Sequence, residues 1–279
     1  MSKFNLLEIG PRPQRSQKPL AMQNDLNEIT ERLKVARSQI GQLKPDVDAF
    51  LKENVQVRRA IGGNASVTLQ AKLSSAVPTD VRSRAGMIAN EIRSCLDGLA
   101  CVLAVRNGKT TSGVYFPVCE SKQRFDDEGL KKIKKLSAGD QVKISNLQPH
   151  KNGNRLLWGL HRADVTRKHV RLVASTVASS RVTLGTGTTP PIAIEGPAAG
   201  IRITDSVVGG FYVKDTILNT FEEINSDAWV SIAKGKLTAM PIRPQFNITY
   251  AEPNDLVGLE IISALESFCS EVEKIVGQF

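Results

Sequence analysis

The chain has 279 residues, 41% of them apolar and 23% charged, and a formal net charge of +9. No apolar run approaches the ~20 residues of a membrane span, and Met1 to Pro19 lacks the apolar stretch of a signal peptide. These features argue against membrane and exported classes, so the expectation is a cytoplasmic protein with no membrane partner. The charge is uneven. Residues 1–171 hold 30 Lys and Arg against 16 Asp and Glu, whereas residues 172–279 hold 7 against 12. A basic front and an acidic rear can attract each other or a polyanion.

Residues 1–19 read as a loose polar tail, interrupted by Pro11, Pro13 and Pro19. A long helix follows over about 22–52. Its apolar residues Leu26, Ile29, Leu33, Ala36, Ile40, Leu43, Val47 and Phe50 alternate at spacings of three and four, a heptad seam that predicts packing on another helix. Pro45 is expected to bend or break its last part. Two alternating runs around Val55 and Val67, separated by Gly62-Gly63-Asn64, predict a β-hairpin. A second helix starts at Pro78-Thr79-Asp80, with Thr79 or Asp80 as its expected cap, and ends at Asn107-Gly108. Its seam is Ala85, Ile88, Ile92, Cys95, Leu99 and Val102, so the two long helices should pack together.

Tyr115-Phe116-Pro117-Val118 reads as a short strand, and Lys131-Lys132-Ile133-Lys134-Lys135 as a short helix with its lysines in solvent. A helix containing Trp158 runs to about Val173. From Arg181 to Tyr250, short β-branched runs alternate with Gly, Pro and Thr clusters, which is strand-and-turn sequence. A closing helix carries the seam Ile261, Leu265, Phe268, Val272, Ile275 and Phe279. Cys95, Cys101, Cys119 and Cys269 form no C-x-x-C pair. They read as buried thiols of a reducing compartment.

Two helical motifs carry polar groups among apolar ones: Asn90-Glu91-Ile92-Arg93-Ser94-Cys95-Leu96-Asp97-Gly98, and Leu157-Trp158-Gly159-Leu160-His161-Arg162-Ala163-Asp164 on to Lys168-His169. With Phe116-Pro117-Val118 and Gln148-Pro149 between them, they resemble, in order and spacing, a functionally uncharacterised bacterial family. Members of that family carry helices close to H-N-L-R-S-A-L-D-H-L-A and D-K-H-R. The resemblance covers roughly residues 22–279. This chain departs from the pattern at Asn90, Gly98, Arg167 and Val170, and keeps Arg93, Asp97, Lys168 and His169. The family's first helix is in turn similar to the R-x(4–6)-H signature of HEPN ribonucleases. There an arginine and a histidine from paired helices act on RNA without a metal. The resemblance implies Arg93, Asp97, His161, Asp164, Lys168 and His169 as candidate catalytic residues, expected to approach one another. Gly98 stands in place of the histidine partner of Arg93.

Simpler roles fit the same residues. Arg93 and Asp97 are spaced for an i, i+4 ion pair or a buried pair that sets register. His161 and His169 lie ~12 Å apart along a helix and cannot share a metal. No metal site and no cofactor is expected. Lys131, Lys132, Lys134, Lys135, Arg155 and Arg167 are the candidate nucleic-acid contacts.

The expected fold is α+β: packed long helices with a β-hairpin and a C-terminal antiparallel β region. Four segments are expected: a tail (1–19), a helical core with the hairpin (20–175), a β-rich region (176–254), and a closing helix (255–279) packing back on the core. The leading functional expectation is a non-catalytic interaction or scaffold protein with a protein partner or a second copy of itself. The alternative is an RNA-binding or HEPN-like ribonuclease protein that is catalytically degenerate.

Overall fold

A computed structural model describes residues 18–62, 67–169, 175–184, 192–195, 201–203, 206–208, 211–218, 223–224, 228–236 and 242–279. The expected tail, residues 1–17 at least, lies outside these residues. The fold is α+β.

Helix α1 (Lys18–Asn54) buries the heptad seam from Ile29 to Phe50. It begins before Pro19 and runs unbroken through Pro45. Pro19 falls in the first turn, where a missing N–H costs nothing. Pro45 and Gly41, the residue whose carbonyl loses its bond, are both exposed, so water can take that carbonyl. Helix α2 (Thr79–Arg106) is the central element and packs against α1, α6 (Arg155–His169) and α7 (Ile261–Val276). It therefore buries more than one seam: Ala89, Leu96, Ala100, Leu103 and Ala104 join Ile88, Ile92, Cys95 and Leu99. The residue before α2 is Pro78, and no side chain caps the helix, so neither Thr79 nor Asp80 caps it. Its end at Asn107 and Gly108 is as read, with Gly108 at φ +70°, a conformation that glycine adopts without strain.

Strands β1 (Val55–Ile61) and β2 (Val67–Leu73) pair antiparallel, Val55 opposite Leu73. The hairpin is not free-standing. The other face of β2's ladder pairs with β9 (Val230–Lys236), which pairs with β7 (Phe211–Leu218), which pairs with β5 (Ile201–Ile203) and β6 (Ser206–Val208). Alternate residues Leu69, Ala71 and Leu73 of β2 are buried. A second antiparallel sheet joins β10 (Ile242–Tyr250), β3 (Ser175–Leu184) and β4 (Ile192–Glu195), with β8 (Glu223–Ile224) also on β3.

Phe116-Pro117-Val118 belongs to no strand, although Pro117 biases the backbone at Phe116 toward an extended conformation. Pro117 has no N–H to give a ladder, and the neighbouring backbone is tied to side chains instead. The chain then forms α3 (Lys122–Arg124), a π-helical turn (Phe125–Gly129) and α4 (Leu130–Ile133) in succession. A Cβ on Gly129 would stand 2.9 Å from the Phe125 ring and 3.3 Å from both Cys119 and Pro117, so glycine lets this turn lie close on the extended segment. Helix α5 (Ala138–Asn146), capped by Ser137, was not expected from the sequence. Helix α6 is described to His169 rather than Val173.

Candidate functional site

The two motif helices meet. Asn90 of α2 donates its Nδ2–H to Asp164 Oδ1 of α6 at 2.7 Å, and Asp164 is buried. Asn90, where the resembled family has histidine, thus supplies a neutral donor to a buried carboxylate, which needs one.

Arg93 is 7% exposed. Its Nη2–H donates to the Phe116 carbonyl at 2.8 Å, and Nη1 lies 2.9 Å from Asp97 Oδ1 as an ion pair, though not aligned for a hydrogen bond. The same Asp97 oxygen accepts from the Phe116 N–H at 2.9 Å. Both motif residues are thus committed to one stretch of backbone. They hold the extended segment where a β-ladder would otherwise satisfy it.

Gly98 lies on another side of α2. A Cβ there would meet Ile29 and Arg32 of α1 at 3.7 Å. Five residues on a helix amount to about 140° of rotation, so a side chain at 98 faces α1 while Arg93 faces Phe116.

Asn154 starts α6. Its side chain accepts from the Leu157 N–H at 3.0 Å and donates to Glu271 of α7 at 2.7 Å. The cap was legible as an asparagine two residues before the apolar run Leu156-Leu157-Trp158. Trp158, His161 and Arg162 then follow on one side, with the Trp158 and His161 rings 5.7 Å apart. His161 is mostly buried. Burial, and then the charge of Arg93, hold its pKa down at about 4, against a weaker opposing effect of Asp164. The imidazole is therefore neutral near pH 7 and a weak base.

These residues wall a cavity of about 730 Å³ that also takes in Arg124, Lys132, Lys151 and Asp255. Lys151 pairs with Asp255 at 3.1 Å, while Arg162 Nε stays 3.8 Å from the same carboxylate. Burial works to raise the Asp255 carboxyl, but the Lys151 and Trp158 donors and the charges of Lys151 and Arg162 outweigh it and hold the pKa low. Trp158 Nε1 comes near enough to contribute yet closes no hydrogen bond of normal geometry.

A second cavity, of about 300 Å³, is lined by Ser112, Gly113, Lys131, Lys132, Lys134 and Lys135. Lys135 is anchored, donating to Thr110 Oγ1 at 2.9 Å and to the Ser112 carbonyl at 2.7 Å. Among the described residues, Lys131, Lys132 and Lys134 have no carboxylate partner. Lys132 lines both cavities.

The expected cluster is thus only partly drawn together. Arg93, Asp97, Asp164 and His161 gather where α2 meets α6. The side chains of Arg167, Lys168 and His169 lie outside the described residues. Arg155 is exposed at the start of α6 and lines neither cavity, so it does not join the four lysines. Arg124, Lys151 and Asp255 were missed, since nothing in their local sequence separates them from surface charges. Burial pushes the Cys95 and Cys269 thiols up to about 11 and raises Cys119 as well, so all three are poor nucleophiles. No group of three residues able to hold a metal occurs among the described residues.

Comparison with protein-family models, with curated proteins and with solved structures finds no match.

Proposed function

We propose that this chain is a non-catalytic binding protein that takes single-stranded RNA along the groove of Lys131, Lys132, Lys134 and Lys135. The observation that carries the reading is that four lysines converge on one cavity with Ser112 and Gly113 and no carboxylate lines it. Lys135 is spent on fixing the loop at 110–112, and the other three remain for phosphates. A groove of this size suits one backbone rather than a duplex. Few aromatics are present to stack bases, so affinity comes from counterion release and carries little sequence preference.

The non-catalytic part rests on the fate of the motif residues. Arg93 and Asp97 are engaged by the Phe116 backbone, position 98 faces α1, and His161 is a weak base. A ribonuclease of the HEPN type needs an arginine free for the phosphate and a histidine able to exchange a proton near neutrality.

The test is fluorescence anisotropy with a labelled RNA 12-mer across a salt series. Three free lysines predict a slope of about −2 in log affinity against log salt, from roughly −0.7 per neutralised phosphate. Lys131→Ala with Lys134→Ala should flatten that slope by about 1.4 while leaving the anchored Lys135 intact. Absence of binding at low salt, or an unchanged slope in the double variant, rejects the reading. Metal-independent cleavage that disappears in His161→Ala overturns the non-catalytic assignment.

A further inference from the structure

The larger cleft has groups that the groove reading leaves unused. Sorting its charges by partner shows an imbalance. Arg124 is taken up by Glu120 and Glu128 of its own helical segment, at 3.3 and 3.9 Å. Lys151 is taken up by Asp255 at 3.1 Å. Glu252 is engaged by another group. What remains under-used is Arg162, which shares Asp255 with Lys151 at a longer 3.8 Å and whose buried Nε makes no hydrogen bond, and Lys132, which has no carboxylate partner among the described residues. Trp158, 9% exposed, adds a buried Nε1–H that lies near Asp255 but closes no hydrogen bond of normal geometry. The cleft groups that lack a well-formed hydrogen bond or a close counter-ion are therefore donors, two of them cationic. Buried donors without acceptors are costly and rare, and the ligand that suits them is an oxyanion. His161 adds an imidazole that carries no hydrogen bond of its own among the described residues.

The cleft also has a defined approach. Lys132 lines both it and the lysine groove, so a strand whose backbone lies in the groove reaches the cleft at that lysine. A cavity of about 730 Å³ falls within the ordinary range for small-ligand sites and has room for a terminal nucleotide. A terminal phosphate differs from an internal one in carrying a second charge near neutral pH and an extra free oxygen. Arg162, Lys132 and the Trp158 N–H can recognise such a group, since a guanidinium suits a phosphoryl group in geometry and charge.

We propose that the cleft walled by Trp158, His161 and Arg162 is a seat for the terminal phosphoryl group of the strand held in the lysine groove. This inference rests on the groove reading for the strand, but the seat itself has an independent probe in inorganic phosphate.

Three forms of one RNA 12-mer provide the test: 5′-phosphorylated, 3′-phosphorylated, and hydroxyl at both ends. One phosphorylated form should bind about tenfold more tightly than the hydroxyl form, the worth of one charged hydrogen bond, and Arg162→Gln should abolish that preference while leaving the hydroxyl form unchanged. Should Arg162→Gln fail to fold, a second readout uses the native chain. Proton NMR of the imidazoles, assigned with His161→Gln, should show the His161 pKa rising when inorganic phosphate is added. The charged groups set around that ring are Arg93 on α2, Lys132 on α4, and Arg162 and Asp164 on α6, with Glu252 and Asp255 on the same cleft wall. Screening of Arg93, Lys132 and Arg162 by added salt raises the ring's pKa by itself, so the titration is run against sodium chloride at equal ionic strength and only the excess shift reports occupation of the cleft. Equal affinity for all three oligonucleotides together with an unmoved His161 overturns the seat. If Lys131→Ala with Lys134→Ala still weakens all three, the groove reading survives that failure. A His161 response to phosphate with no oligonucleotide binding at low salt supports the seat and rejects the groove.

Discussion

Arg93 and Asp97, one turn apart on α2, grip the two sides of a single peptide backbone: Arg93 donates to the Phe116 carbonyl at 2.8 Å and Asp97 accepts from the Phe116 N–H at 2.9 Å. The pair thereby converts an extended segment without a strand partner into a fixed wall beside α2. Arg93 is buried and Asp97 about one-third exposed. Removing the acid leaves a buried guanidinium short of its counter-charge and an amide N–H without its acceptor.

Asp97→Ala should therefore cost about 2–4 kcal/mol, below the full range for breaking a buried pair because solvent reaches the carboxylate. Asp97→Asn keeps an acceptor for Phe116 and should cost less. Urea melts of the two variants measure this. Equal stability of both with the native chain would mean that the clamp contributes nothing.

Leu33 lies in the α1 seam and is 1% exposed. Leu33→Asp places a carboxylate in the face that α1 packs on α2 and α7, and Arg37, one turn on, is already held by Glu273 and Ser270. A loss of more than about 4 kcal/mol is expected, read as a collapse of the cooperative thermal transition by circular dichroism. Lys34 is exposed on the same helix, and Lys34→Asp is the matched control that should leave the transition within a few degrees.

The seams were legible because burial imposes a period, and a period survives in a single sequence. Ile29, Leu33, Ala36 and Ile40 announce a helix face whatever lies opposite. The extra buried face of α2 was not legible, since Ala100 and Ala104 read as filler until α6 and α7 are known to sit there. The joining of the hairpin to β9 was equally hidden: residues 67 and 235 are opposite each other in the ladder, and nothing in either segment names its partner. Within the site, Arg93 and Asp97 were conspicuous as polar residues on an apolar helix, and their spacing fitted an ion pair. Their shared target, the Phe116 backbone, was not readable, because backbone groups carry no sequence signature. Lys151 and Asp255, about a hundred residues apart, meet across the cleft for the same reason that long-range pairs are silent in one sequence.

His161 supplies a pH dependence. Its ordinary pKa is 6.5 and burial lowers it to about 4 in the folded chain. The unfolded chain therefore binds a proton between these values while the folded chain does not. Stability contributed by the neutral ring is full above about pH 6.5 and is lost as pH falls toward 4, by at most roughly 3 kcal/mol. Melting temperatures from pH 7.5 to 4.5 should fall in the native chain and fall less steeply in His161→Gln. Parallel slopes would assign the acid sensitivity to other groups.

Gly153 tests how the cleft's far wall is held. The turn before α6 folds tightly: Gln148 adopts φ +50°, and its carbonyl accepts from the N–H groups of His150 at 2.7 Å and Asn154 at 2.8 Å. A Cβ on Gly153 would stand 2.3 Å from that same oxygen and 2.7 Å from the Gln148 Cβ. No rotamer relieves a clash with backbone, so the turn must open. Opening it displaces Lys151 from Asp255 on one side and the Asn154 cap on the other. Gly153→Ala should cost about 2 kcal/mol or more, with hydrogen exchange faster in the first turn of α6. Gly139, where an added Cβ meets nothing closer than 3.9 Å, is the control. Gly139→Ala lies inside α5 and should hold or raise stability, because alanine has the higher helix propensity. Similar losses from both substitutions would show that the Gln148 turn is not the constraint.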